Sequence, residues 1–549
     1  MPAERQAVNY RVKNLILAHI GVSFATLAAA AVLGAWQMTV RTGVNPPFAT
    51  PETYFASVSA HGTIMGYVMP TLFTMGFGYF VAVTALDQPL PSMRLAWAGF
   101  WLAAVGIVAA IIPIVMGKAT VLYTFYPPLT GSVFYYLGVL LVVVGSWFWV
   151  ALMIWAMAHW KRNNPGRPVP LAMFGTVANA FLWLWTTGGV AVEIIFQLIP
   201  ASLGWTQMID VGLARTLFAW TLHPIVYFWL LPAYIAFYTI APQAAGARLY
   251  SDLMGRLSFI LLLLFSLPVG MHHLFMDPEH GTGFKFLQAM LTALVVLPTF
   301  LTVFTISASM EIAGRLRGGK GLFGWIAALP WDRPMVLATC LSFVLLGFGG
   351  FGGVVNMAYA MNAMIHNTSW VTAHFHLIFG GAVVIMYFAI TYWIWPILLE
   401  REAADVRPLR LQLWLWFIGI VIMTFPWHVL GLLGQPRRIA TFDYANPVIA
   451  QWQPWVFVSM FGGYLMLVSA LLFVWNIATL YRARPVGDNR MHYAVAVYPP
   501  ARVPNALNGF ALWNWLLLFL MVVAYGYPLG QFFLMDVYPG LVHRVDIGS

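Results

Sequence analysis

The chain has 549 residues, of which 61% are hydrophobic and only 8% charged, with a mean hydropathy of +0.81. No water-soluble core accommodates that balance, so a soluble globular protein is excluded and a polytopic, all-α membrane bundle is expected. A net charge of +10 and a single cysteine, Cys340, complete the frame. One cysteine excludes a disulfide framework, a thiolate metal cluster and a CxxCH attachment site.

Mostly apolar segments of 20 or more residues recur along the whole length, each long enough to cross a hydrocarbon core of about 30 Å. Thirteen spans are expected. They cover residues 14 to 39, 54 to 86, 95 to 117, 131 to 160, 170 to 199, 214 to 241 and 256 to 276. The remainder run 285 to 313, 335 to 362, 369 to 399, 409 to 433, 452 to 481 and 508 to 534.

The first span follows Arg5, Arg11 and Lys13 and is longer than the apolar region of about 7 to 15 residues in a signal peptide, so it is expected to stay as an anchor. With the N-terminus on the cytoplasmic side, 20 of the 27 Lys and Arg flank the inner ends of the spans. Lys161, Arg162, Arg167, Arg315, Arg317, Lys320, Arg401, Arg407, Arg482 and Arg484 are among them, as the positive-inside bias requires. The charge is therefore topology signal plus attraction to anionic lipid, with no nucleic-acid partner. Loops are short and no repeat stands out, so residues 1 to 549 read as one domain.

Buried charge and buried imidazole are costly in a bilayer and mark functional sites. On this topology His61 and His223 lie near the outer ends of the second and sixth spans, His272 and His273 close the seventh on the same side, and His374 and His376 open the tenth there. Six histidines from four helices thus share one layer about 5 to 15 Å below the outer helix ends. The two-residue step from His374 to His376 turns a helix through about 200°, so these rings leave on opposite faces and can serve different cofactors. Imidazole suits heme iron and copper. Two facing histidines saturate a heme iron, a single axial one leaves an open position, and three can hold a copper ion. The six ligands partition as two plus one plus three.

The chain at this point resembles subunit I of the heme-copper oxygen reductases, through motifs running from His61 to Arg438. His61, followed by Gly-Thr-Ile-Met-Gly, resembles the first ligand of the low-spin heme, His376 the second, and His374 the proximal ligand of the high-spin heme. His223, in Thr221-Leu-His-Pro-Ile-Val-Tyr, resembles one copper ligand, and His272 and His273 the other two. Tyr227, one helical turn from His223, matches the tyrosine that this family bonds covalently to that histidine and uses as a donor of an electron and a proton.

Ile225 stands where the A-type branch carries a proton-feeding glutamate, and the run from Pro224 to Tyr234 resembles the B-type branch instead. There a single proton path rises through hydroxyls, and Tyr234, Tyr238, Ser251, Thr299 and Thr302 match its members. Tyr227, Tyr234 and Tyr238 form a stripe on one helical face. Arg437 and Arg438, after Gly434-Gln-Pro, suit bidentate pairing with heme propionates. His366 and Asn356 resemble residues of the water-rich region above the propionates, while Asn362 stands where an aspartate is expected. Glu193 and His19, His159, His280, His428, His492 and His543 belong to no motif.

The resemblance implies the catalytic subunit of a B-type terminal oxidase of prokaryotic cell membranes. It would reduce dioxygen to water and pump protons, with a b-type low-spin heme, an a-type high-spin heme and one copper ion. It also implies a subunit II with a dinuclear copper centre, fed by cytochrome c. Two alternatives stay open: a nitric oxide reductase on the same scaffold, and a secondary transporter that binds no heme.

Overall fold

The computed structural model describes residues 10–403, 405–485, 490–534 and 544–546; Arg5 and His543 lie outside them. Thirteen helices are long and apolar enough to cross a membrane: α1 (Arg11–Arg41), α2 (Pro51–Leu86), α3 (Met93–Val115), α4 (Val133–Asn163), α5 (Leu171–Ser202), α6 (Val211–Thr239) and α7 (Asp252–Leu274), then α8 (Thr282–Leu316), α9 (Pro334–Met357), α10 (Ser369–Leu399), α11 (Arg407–Leu432), α12 (Pro447–Leu480) and α13 (Ala511–Leu534). Helices dominate because every backbone N–H and C=O at membrane depth needs a partner within its own segment. Among the described residues strand is confined to short pairs, Met208–Asp210 with Arg544–Asp546 and Arg401–Glu402 with Arg484–Pro485.

Each expected span is present, and the ends differ by a few residues for local reasons. Thr50 caps the start of α2 by accepting from the Thr53 N–H, with Pro51 at the first helical position, so α2 begins before its apolar run. The ninth span was expected to reach residue 362 but α9 stops at Met357. Ala358 takes an extended conformation, and a separate short helix, Tyr359–Ile365, follows.

Burial ranks the helices. In α10, α2 and α6, 89%, 83% and 78% of the most apolar stretch is buried, against 33% in α8 and α13. The three most buried helices carry His374 and His376, His61, and His223, so the bundle encloses the polar layer. Peripheral pairs close through small residues: a Cβ at Gly106 of α3 would meet the Gly138 carbonyl of α4 at 2.5 Å, the close approach typical of membrane helices. Three central stretches depart from α-geometry: π-helical Ile64–Val68 in α2, Ile194–Leu198 in α5 and His376–Val383 in α10. A 3-10 stretch, Leu267–Leu274, closes α7 and holds His272 and His273.

Candidate functional site

His61 and His376 face one another from α2 and α10, with ring centroids 6.2 Å apart and planes 23° from parallel. Each is aimed by its Nδ1: His61 bonds the Ala30 carbonyl of α1 at 2.9 Å, and His376 bonds the Thr372 carbonyl at 2.8 Å. A carbonyl only accepts, so both Nδ1 atoms carry the proton and both Nε2 atoms offer lone pairs. The 6.2 Å separation fits one metal between the rings, with about 2 Å for each metal–nitrogen bond plus the near half of each ring. Trp427 closes the site edge-on at 5.1 Å from His376.

His374 leaves the other side of α10 and rests against α9. A Cβ at Gly352 would lie 2.9 Å from its Nδ1, so this glycine is what lets the ring sit there. The Gly349 carbonyl faces the same nitrogen without reaching hydrogen-bond geometry.

His223, His272 and His273 converge so that one ligand atom from each lies within 4.8 Å of the other two. Their ring centroids are 4.5, 5.7 and 4.3 Å apart pairwise. His223 sits at a break in α6 just before Pro224, whose ring cannot continue the helical hydrogen bonds. The end of α7 reaches it because Gly270 packs directly on α6, where any Cβ would collide with the Ala219 carbonyl. Thr292 of α8 fixes one ring: its hydroxyl donates to the Gln288 carbonyl at 2.6 Å and so accepts from His272 Nδ1 at 3.0 Å. The Nε2 atoms of His223 and His273 are buried with no hydrogen-bond partner among the described residues, which suits metal ligands. The Tyr227 ring lies 4.9 Å from His223.

The hydroxyl stripe extends from Tyr227 along α6. The Tyr234 hydroxyl donates to Thr299 at 3.2 Å and the Tyr238 hydroxyl to Thr302 at 2.9 Å. Ser258 lies 2.7 Å from Thr302 and is a member of this network that the sequence reading missed. Ser251 makes a bond of its own: its side chain accepts the Met254 N–H and caps the start of α7.

At the opposite end lies a cationic rim. Arg437 donates to the Asn367 side chain at 3.1 Å, and burial, then the neighbouring Arg438 guanidinium, lower it to about 10. The guanidiniums of Arg438 and Arg215 lie 5.5 and 5.2 Å from the Tyr126 ring centre, and Arg215 pairs with Asp277 at 2.8 Å. Burial raises Asp277 to about 7 against the opposing pull of Arg215. His366, held at about 4 by burial and then by Arg437, Arg215 and Arg438, is neutral. Asn362 donates to the Asn356 carbonyl at 2.7 Å, so both asparagines lie in one local network. The contact of Arg215 with Tyr126 was not legible in the sequence, because neither belongs to a motif and it brings the start of α6 against a loop far away in the chain.

A bundle that holds one facing histidine pair and one histidine triad, divided by a single helix, defines a membrane metalloprotein with two neighbouring redox sites. Residues 14–465 match the cytochrome c and quinol oxidase polypeptide I family, and the chain belongs to it. Cytochrome c oxidase subunit 1 of Thermus thermophilus is 40% identical over 88% of this chain and 87% of its own length. That of Synechocystis is 26% identical over 86% and 82%, and ubiquinol oxidase subunit 1 of Acetobacter aceti 24% over 84% and 69%. A heme-copper terminal oxidase dimer solved by cryo-electron microscopy superposes with a TM-score of 0.90 at 34% identity, covering 95% of this chain and 93% of that one. The chain is thus a multi-pass membrane protein, the catalytic subunit of a heme-copper terminal oxidase. The family implies hemes, copper, a second subunit and a cytochrome c or quinol donor.

Proposed function

We propose that residues 1 to 549 form one domain that reduces dioxygen to water with electrons from cytochrome c, as a B-type proton-pumping oxidase of a prokaryotic cell membrane. In this reading the N-terminus is cytoplasmic, and a subunit II with a dinuclear copper centre delivers electrons on the outer face. His61 and His376 hold a b-type low-spin heme, His374 an a-type high-spin heme, and His223, His272 and His273 the copper. The hemes and copper supply electron transfer and oxygen reduction when bound. The protein's own groups do the rest: Tyr227 holds a transferable proton beside His223, Tyr234, Tyr238, Thr299 and Thr302 relay protons with Ser251 at the cytoplasmic end, and Arg437 and Arg438 offer guanidinium donors to propionates.

The observation that carries this reading is the division of six membrane-embedded histidines about α10 into one pair with 6.2 Å spacing, the single His374 and one triad. A nitric oxide reductase wants carboxylate at its non-heme iron, and the triad contains none among the described residues. Metal analysis of the purified protein, with reduced spectra in the presence and absence of carbon monoxide, tests it. Two hemes, one of which binds the gas, with one copper are expected. Iron in place of copper would move the assignment to nitric oxide reduction, and a colourless folded protein would point to a transporter.

A further inference from the structure

Glu193 belongs to neither the histidine layer, the hydroxyl stripe nor the arginine rim. It is fully buried in α5, at the last residue before the π-helical stretch Ile194–Leu198. Neither carboxylate oxygen has a hydrogen-bond partner among the described residues. A fixed negative charge in that position is strongly disfavoured, and a neutral acid leaves a donor and an acceptor unused. Intramembrane carboxyls of this kind mark proton sites, and π-helical interruptions recur at functional positions.

Its surroundings are tyrosines. Tyr67 of α2 and Tyr136 of α4 lie within electrostatic reach of the carboxyl, while α6 presents Leu217, Trp220 and Thr221, none ionisable, to this turn of α5. Tyr67 stands in the π-helical stretch of α2, six residues after His61, and its hydroxyl donates to the Tyr123 carbonyl at 3.2 Å. The Tyr123 ring lies over Gly62, next to His61. Three residues further along that loop Tyr126 meets Arg215 and Arg438. Glu193 is therefore a buried carboxyl within electrostatic reach of Tyr67, and Tyr67 leads through Tyr123 to the helix bearing His61.

We propose that Glu193 is a proton-binding site whose occupancy follows the charge at the His61–His376 site. Gain of an electron there favours the neutral acid, with one proton taken from water; loss of the electron favours the carboxylate, with that proton returned to water. No electron reaches Glu193 itself. The proposal rests on His61 and His376 being the low-spin pair.

Reduced-minus-oxidised infrared spectroscopy of the holoenzyme tests it, with the visible spectrum recorded on the same sample. A positive carboxyl C=O band is expected in the wild type, lost in Glu193→Gln and displaced but present in Glu193→Asp, with the low-spin heme signal intact in all three. A band identical in all three proteins, no carboxyl band, or only a derivative feature of zero net area would overturn the proposal. If Glu193→Gln does not assemble, the Glu193→Asp displacement decides alone. Loss of the low-spin change from the wild-type visible spectrum would instead strike at the assignment of His61 and His376.

Discussion

The two sides of α10 treat the same chemical group differently. His61 and His376 have their Nδ1 atoms tied to backbone carbonyls on α1 and α10, so each ring keeps one orientation and presents one lone pair. Backbone anchors move little, which suits a saturated centre that only passes electrons. In the triad, His272 is aimed by a side chain, Thr292, and His223 and His273 each keep a buried Nε2 without a hydrogen-bond partner among the described residues. Tyr227 stands beside this set, and the hydroxyl stripe leads away from it. The contrast is between a pair anchored on backbone carbonyls and a triad that stands beside a tyrosine and a hydroxyl stripe, the proposed saturated site and the proposed site of substrate and proton delivery.

The contrast can be broken most completely at the ligands. His376→Ala is expected to remove the low-spin heme and collapse turnover while copper stays bound, whereas His273→Ala is expected to remove copper and leave both hemes, as metal and heme analysis would show. Loss of both metals from either variant would mean the two sites do not assemble separately. Tyr227→Phe keeps both sites but deletes the phenolic proton; turnover is expected to fall by at least about 10²-fold with unchanged visible spectra. Thr292→Val removes the side-chain aim on His272 Nδ1, and copper affinity is expected to drop by roughly 10-fold to 100-fold, measured by chelator competition, with the low-spin spectrum untouched.

The smallest effect lies at the rim. The folded protein holds His366 at about 4, below its ordinary 6.5, so the neutral ring contributes stability that is full above 6.5 and declines as pH falls toward 4. His366→Gln is expected to flatten that decline in thermal-unfolding midpoints between pH 7 and 4, and a parallel decline in both proteins would contradict the depressed titration.

Much of this architecture is legible in the chain because its signals are strong and local. Thirteen apolar runs can only be helices in a bilayer, and the two-residue step of His374 and His376 dictates opposite faces on any helix. What the sequence concealed depends on tertiary contact. The Ala30 carbonyl that aims His61 is 31 residues away and has no side-chain signature. Thr292 and Ser258 look like any membrane hydroxyl until α8 and α7 bring them to His272 and Thr302. Ser251 matched a motif, yet its hydroxyl caps α7. The end of α9 was misplaced because Ala358 breaks an apolar run that contains no proline.

The proposed separation by α10 of a saturated site from an open one is addressed directly by His374→Ala, through the carbon monoxide difference spectrum of the reduced protein. Gas binding is expected to be abolished while the low-spin heme absorbance remains. An unchanged difference spectrum would contradict it.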